Sequence, residues 1–332
     1  MTHSFVGESA DSAWKEALSS LKADGVLQPS RSSNTHELLH ANIVITNPRN
    51  RWVFSRHPGI NPAFAIVEVF WILSGRNDAK LVNFWNPTLP KFAGDTPEYH
   101  GAYGYRLRNA FNGLDQINRA YTALMENPES RQIVLQIWNP NLDMPDEHGS
   151  PMSPDIPCNI CAMPKIRNGK LEWLQIMRSN DIFRGLPYNL VQFTTLQEIF
   201  AGWLGLEVGH YHQVSDSLHY YEKDLSSFSI DNNMSFEENE DSLALPKPEF
   251  DKLLIIMMKS LEVLSSQDLS KDTFMRIFLD ADLPQSYQNL LLITAADSAR
   301  RRGWFNETDL AVKACTNKAL LLAWNNWQST HL

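Results

Sequence analysis

One stretch near the middle of the chain constrains the fold more than any other. Residues 229–248, SIDNNMSFEENEDSLALPKP, are acidic and polar and end in prolines, the composition of an exposed linker. The hydrophobic pattern differs on its two sides. Before it, bulky and β-branched runs such as SRQIVLQIW and LEWLQIMR read as buried strands and alternate with helical segments. After it, Phe250, Leu253, Leu254, Met257, Met258 and Leu261 recur at i, i+3, i+4, i+7, which is one apolar helical stripe. The expected architecture is an α+β body over residues 1–228, an acidic linker over 229–248 and a helical extension over 249–332.

Within the body, SADSAWKEALSSLKADG predicts a helix capped by Ser9 or Ser12 and ended by Gly25. NPAFAIVEVFWILSG predicts an apolar helix from about Ala63 to Gly75 with Glu68 embedded in it. NLVQFTTLQEIFAGWLG predicts a long helix ended by Gly202 or Gly205. In the extension, ADSARRRGW reads as a solvated helix end, with an anion-contacting patch as the alternative.

Three cysteines in 332 residues argue against a disulfide scaffold and fit a reducing compartment. The first residues carry no basic and apolar leader pattern, and no apolar run approaches a membrane span, so a cytoplasmic protein with no membrane partner is expected. A net charge of −9 disfavours long nucleic acid as a partner but leaves room for a local positive pocket that takes a small anion.

Two of the cysteines stand in PCNICAMP, as Cys158 and Cys161. A zinc site needs a second pair of ligands, and Cys315 is isolated; no metal is expected. A redox dithiol belongs at a strand-to-helix junction. Here Pro164 follows, and KIRNGKLEW reads as strand, turn, strand. Residues i and i+3 of a strand point to opposite faces. Cys161 by default is an inert buried thiol. Two polar clusters lie downstream: MRSNDIFRGLPYN, and SDSLHYYEKD with His219 and Tyr221 on one face of a strand. A thiol, arginines, an amide and a His/Tyr pair together suggest a site for a phosphorylated small molecule that forms hydrogen bonds.

The order of these motifs resembles the thymidylate synthase family, which includes the pyrimidine nucleotide hydroxymethylases. The pieces are SR near Arg31, VEVFWILSG, HGAYGYRLR, NPESRQIVLQIWNP, PC, RSNDIFRGLPYN and LHYY, running in order from about Arg31 to Asp224. The resemblance implies a mixed β-sheet packed with helices, a sheet-to-sheet homodimer, and 5,10-methylenetetrahydrofolate as one-carbon donor. It implies Cys158 as the nucleophile, since thiolate addition to C6 of a pyrimidine makes C5 enolate-like; nearby arginines are expected to help ionise it. Arg31, Arg178, Ser179 and an Arg131 reaching across the dimer would bind the 5′-phosphate. Asn189 would read the base edge, and His219 and Tyr221 the 3′-hydroxyl. Glu68, Tyr103 and Asp181 match positions that organise water and move protons, and Phe92, Gly185 and Tyr188 match the folate side. Glu68 read alone is also compatible with a buried, hydrogen-bonded carboxylate.

The chain departs from the family pattern at several points. Asn159 stands for a histidine, Gln132 for an arginine, Phe92 for a tryptophan and Arg184 for an apolar folate contact. The end, AWNNWQSTHL, is unlike the segment that closes over the folate in the family. A missing lid and a polar folate side favour water reaching the C5 methylene, hence hydroxymethylation over reductive methylation. Asn189, where cytosine enzymes of that branch carry Asp, favours uracil. The alternatives are reductive methylation and a nucleotide-binding homologue without turnover.

Overall fold

The computed structural model describes residues 3–30, 33–279 and 282–330. One mixed sheet runs, edge to edge, through His3–Gly7, Thr35–Ile45, Glu207–Tyr221, Lys170–Met177, Asn159–Arg167 and Leu135–Gln136. Thr35–Ile45 pairs antiparallel with Glu207–Tyr221, which pairs parallel with Lys170–Met177. The hairpin between Asn159–Arg167 and Lys170–Met177 turns on Asn168 and Gly169, with φ of 52° and 74°, the left-handed pair that a two-residue turn demands. Of SRQIVLQIW, only Leu135–Gln136 is a strand. The preceding residues are largely exposed and make no ladder, so bulk alone did not suffice there.

Alternation divides the sheet into two faces. Trp173, Gln175, Met177, Tyr211, Gln213 and Ser215 are buried under the helices. On the opposite face Leu174, Ile176 and Val214 are only half-buried. The helix Ala10–Asp24 is fixed by a reciprocal cap in which Ser9 and Ser12 each accept the other's backbone N–H, and it ends at Gly25. The helix Gly185–Leu204 ends at Gly205 with φ of 67°.

The helix Pro62–Leu73 lies between Gly185–Leu204 and Gln285–Arg301. That explains its nearly uninterrupted apolar composition: every side chain in it is buried except Glu68, which is half-buried. The extension is therefore part of the same core, with Tyr287, Leu291 and Trp324 in one cluster with Phe70 and Trp14. In its first helix, Phe250, Leu253, Met257, Met258 and Leu261 are buried as the stripe requires.

The acidic segment is largely exposed, as expected, but it is anchored to the body at several points rather than free. Residues Ser229–Ile230 pair with Arg56–His57, Asn239 bonds Asn50 and Arg49, and Leu243 is buried. The Leu243 amide donates to Glu198, itself paired with the buried Arg51, and its carbonyl accepts from Tyr287. Asn239 and Asp241 meet polar partners in the rest of the chain, while most other residues of the segment are exposed. Among the described residues no helix is long and apolar enough to cross a membrane.

Candidate active site

A cavity of about 620 Å³ opens where the sheet's Cys158 end meets the helices. Its walls come from Glu68 and Trp71, from the segment Trp85–Ala93, from Tyr99–Tyr103, from Asp155–Cys158 and from the first turns of Gly185–Leu204. Arg56, Arg184 and Phe228 add to it, as do Arg300, Arg301 and Trp327 of the extension.

Cys158 immediately precedes the strand Asn159–Arg167 and is half-buried at the cavity wall. Arg178, at the end of the neighbouring strand, splints the loop that carries it. The Arg178 amide donates to the Cys158 carbonyl at 2.9 Å, while Nε and Nη2 donate to the carbonyls of Pro157 and Ile156 at 3.0 Å each. Burial pushes the Cys158 thiol up, Arg178 opposes this, and Asp155 and Asp181 add to the rise. The expectation that arginines ionise the thiol is thus only partly met in the ligand-free site, because desolvation outweighs Arg178. Cys161 is buried within the strand and lines no part of the cavity, so the two thiols face different surroundings.

Glu68 is the one polar residue of its helix, and burial raises its carboxyl to about 8, against a hydrogen bond from Gln192 that lowers it. Gln192 Nε2 donates to Glu68 Oε2 at 2.9 Å, and Asn189 Nδ2 donates to Gln192 Oε1 at 3.2 Å. The three side chains form a relay. In this arrangement Gln192 presents its amide nitrogen to Glu68 and its oxygen to Asn189. Asn189 then turns its nitrogen to Gln192 and keeps Oδ1 for whatever enters. Gly185 leaves the approach open: a Cβ there would stand 3.2 Å from Asn180 Oδ1 and 3.6 Å from Asn189 Oδ1.

Tyr103 lines the cavity beside these groups. Burial raises its phenol strongly, with Cys158 adding to the rise and Asn159 opposing it. Asn159 is fully buried, and its Oδ1 accepts from Gln175 Nε2 at 2.6 Å. Tyr188 accepts the Asn61 backbone N–H at 3.0 Å and is pushed up to about 12 by burial, against the nearby Arg56. Phe92 is more than half exposed at the wall, 5.4 Å from the Arg184 guanidinium. Arg184 does not reach freely into the space. Its Nε donates to Asp224 at 2.9 Å, and it lies 5.5 Å from the Phe228 ring.

The remaining residues singled out from sequence fall elsewhere. Asp181 is off the wall: its Oδ1 accepts the amides of Phe183 and Arg184, capping the turn before the long helix, and burial raises its carboxyl. It pairs in register with His219. His219 and Tyr221 share a face of one strand, as expected, with rings 5.4 Å apart; like the half-buried Ser179 and Arg178, which bonds the Cys158 loop, they lie outside the cavity lining. Arg131 is exposed. Arg31 lies outside the described residues.

Gln192 and Arg56 escaped sequence reading, and Arg300 and Arg301 entered it only through the alternative reading of ADSARRRGW as an anion-contacting patch. Gln192 stands three residues after Asn189 on an otherwise apolar helix, a spacing that signals a shared face. Arg56 is buried, with its pKa lowered to about 10 by desolvation and its guanidinium 4.6 Å from the Phe228 ring. Arg300 and Arg301 belong to the supposed solvated helix end, where Asp297 is instead fully buried between them. Separately, Glu172, His210 and His212 bring donor atoms within 4.8 Å of one another on the sheet, away from the cavity.

Residues 54–268 match the thymidylate synthase family. A deoxyuridylate hydroxymethyltransferase of Bacillus phage SP01 is 35% identical over 66% of this chain and 59% of its own length. One of Pseudomonas phage M6 is 34% identical over 64% of this chain and 60% of its own. A putative thymidylate synthase of Methanothermobacter marburgensis is 30% identical over 63% of this chain and 88% of its own. The chain spans about three-fifths of the two phage relatives. With nearly two-thirds of its residues inside the match, the chain belongs to the thymidylate synthase family.

Proposed function

We propose that this chain hydroxymethylates C5 of a pyrimidine nucleoside 5′-monophosphate, with 5,10-methylenetetrahydrofolate as one-carbon donor and uracil as the preferred base. The observation that carries it is the convergence of Cys158, Glu68, Tyr103 and Asn189 on one cavity. In this reading Cys158 adds to C6 once ionised, and C5 becomes the nucleophile. The bound donor supplies an electrophilic one-carbon unit. Glu68, with a carboxyl raised to about 8, can hold or release a proton near neutral pH, which suits moving the C5 proton and orienting water.

The relay supports uracil. With Asn189 Oδ1 left to accept, N3–H of uracil finds an acceptor, whereas N3 of cytosine would meet another acceptor. The apolar wall from Trp85 to Phe92 suits a flat pterin ring. The strand-end group Arg178, Ser179, His219 and Tyr221 would take the sugar and phosphate, with Arg31 and the partner subunit's Arg131. The half-buried Leu174, Ile176 and Val214 are the surface on which a homodimer would pack.

The names of the phage relatives favour hydroxymethylation. One observation favours reductive methylation instead. Water at the methylene is expected where the donor side of the cavity is open, yet the extension puts Arg300, Arg301 and Trp327 on the cavity wall. Incubation with dUMP and methylenetetrahydrofolate separates the two by product mass. A gain of about 30 Da marks hydroxymethyl and about 14 Da methyl, from the atoms added after thiolate attack. An unchanged nucleotide with no loss of a C5 tritium label would overturn both.

A further inference from the structure

The cavity has a wall that the family match does not cover. Arg300, Arg301 and Trp327 all lie beyond residue 268, in the extension. The helix Gln285–Arg301 brings the two arginines to its last turn, and Asp297 holds both: Arg300 through Nε at 2.9 Å and Nη2 at 2.8 Å, Arg301 through Nε at 2.8 Å. Arg301 Nη2 also donates to the Trp85 carbonyl. The Arg300 guanidinium lies over the Trp327 ring at 4.7 Å, which fixes its plane. Asn61 of the body donates to the same Asp297 at 3.4 Å. The assembly is rigid, and one carboxylate faces two guanidiniums.

A bland account makes the arginines mere partners for a buried acid. It leaves a positive charge over. It also leaves Nη1 of each arginine without a hydrogen-bond partner among the described residues, in side chains 24% and 17% exposed at a cavity wall. Paired, pre-oriented guanidinium edges on the wall of a cavity that Trp85 and Phe92 also line match a carboxylate carried at the end of a largely flat aromatic ligand.

We propose that Arg300 and Arg301, set by Asp297 and Trp327, form a subsite for the glutamyl carboxylate at the tail of the one-carbon donor. The extension thereby adds to the donor recognition that the family-matched body supplies. This rests on the reading of the cavity as a one-carbon-donor site. The phosphate of the nucleotide is the other anion that could meet these groups, and the test separates the two.

The full chain, saturated with dUMP, is titrated with tetrahydrofolate and with tetrahydropteroate, which lacks the glutamate, and binding is followed by tryptophan fluorescence. The wild-type protein is expected to bind the glutamate-bearing compound about tenfold more tightly, the usual return on one charge-assisted pair. Arg300→Gln and Arg301→Gln should each pull that ratio towards one, Arg300→Lys should keep part of it, and dUMP affinity should be unchanged in all three. A ratio reads discrimination rather than folded fraction, and the wild-type comparison stands even if a variant does not fold. Equal wild-type affinity for the two compounds overturns the subsite while leaving the proposed reaction intact. A variant that weakens dUMP instead overturns it in favour of the phosphate. Binding of dUMP with no binding of either pterin defeats the one-carbon reading itself, and the subsite with it.

Discussion

The two ends of the cavity are made from different kinds of chain. At one end, Cys158, Glu68, Tyr103 and Asn189 sit on the sheet and helices inside the family match. Arg178 holds the Cys158 loop, and a side-chain relay through Gln192 joins Glu68 and Asn189. At the other end, Arg300, Arg301 and Trp327 sit on helices outside it and are held by one buried carboxylate. In the proposed reaction the first end moves protons and forms a bond, and its Cys158, Glu68 and Tyr103 are all pushed up by burial. The second is built to hold, with charge arranged in a fixed plane and no group poised to react. Chemistry and donor recognition are therefore separable by substitution.

The largest separation comes from Cys158→Ala. Without a sulfur no addition to C6 occurs, so turnover and release of a C5 tritium label should both fall by about 10⁴-fold or more. Binding of dUMP and of tetrahydrofolate should change only a few-fold. Retained tritium release would show that the bond-forming end lies elsewhere.

Glu68→Gln should lower kcat by about 10²–10³-fold, the usual share of a positioned acid or base. It also makes a prediction about stability. The Glu68 carboxyl is raised to about 8 from a reference of 4.5, so the folded protein keeps a proton that the unfolded chain gives up between those values. The contribution is fully present below pH 4.5 and is lost as pH rises through 8. Above pH 8 the wild-type protein should therefore be less stable than Glu68→Gln by about 2–4 kcal/mol, the lower figure allowing for water in the cavity. Denaturant midpoints of the two proteins at pH 5 and pH 9 check it; a constant gap between them would mean that Glu68 is ionised throughout.

At the other end, Asp297→Ala leaves two guanidiniums without their shared partner. Removing one side of a buried pair is costly, and partial exposure of both arginines moderates it, so a loss of about 2–3 kcal/mol is expected. Because Asn61 also reaches Asp297, the loss should appear as a looser fit between extension and body, read by faster hydrogen exchange in Gln285–Arg301. Unchanged exchange there would mean that the extension is held by its apolar contacts alone.

The contrast between the two ends also governs what could be read from sequence. Cys158, Glu68 and Asn189 sit in short motifs whose chemistry demands those residue types, and caps such as Ser9 and Gly205 are local signals. Both are legible because cause and residue lie close together along the chain. Asp297 was not, because its burial is decided by Asn61 and Trp85, more than two hundred residues away. The string ADSARRRGW is highly charged, and charge alone says solvent; the helices packed against it, Pro62–Leu73 and Phe305–Ala314 among them, say otherwise. The anchoring of the acidic segment was hidden in the same way, since Asn239 and the Leu243 amide find partners in Asn50 and Glu198.

Gln192 tests the finest point of the comparison, whether the reactive end also reads the base. Its hydrogen bond lowers the Glu68 carboxyl against burial, so Gln192→Leu should raise it further. If ionised Glu68 is the working form, the rising limb of kcat/KM moves to higher pH, and the rate at pH 7 falls by about tenfold. The same substitution frees the Asn189 amide to rotate, because nothing then requires its nitrogen to face the helix. Preference for dUMP over dCMP should shrink along with the pH shift. The two effects share one cause, so they should appear together. A Gln192 that merely fills space would lower activity equally at every pH and leave the base preference where it was. Measuring kcat/KM for both nucleotides between pH 6 and pH 9 distinguishes these outcomes, and a shift in only one of the two would break the relay into independent parts.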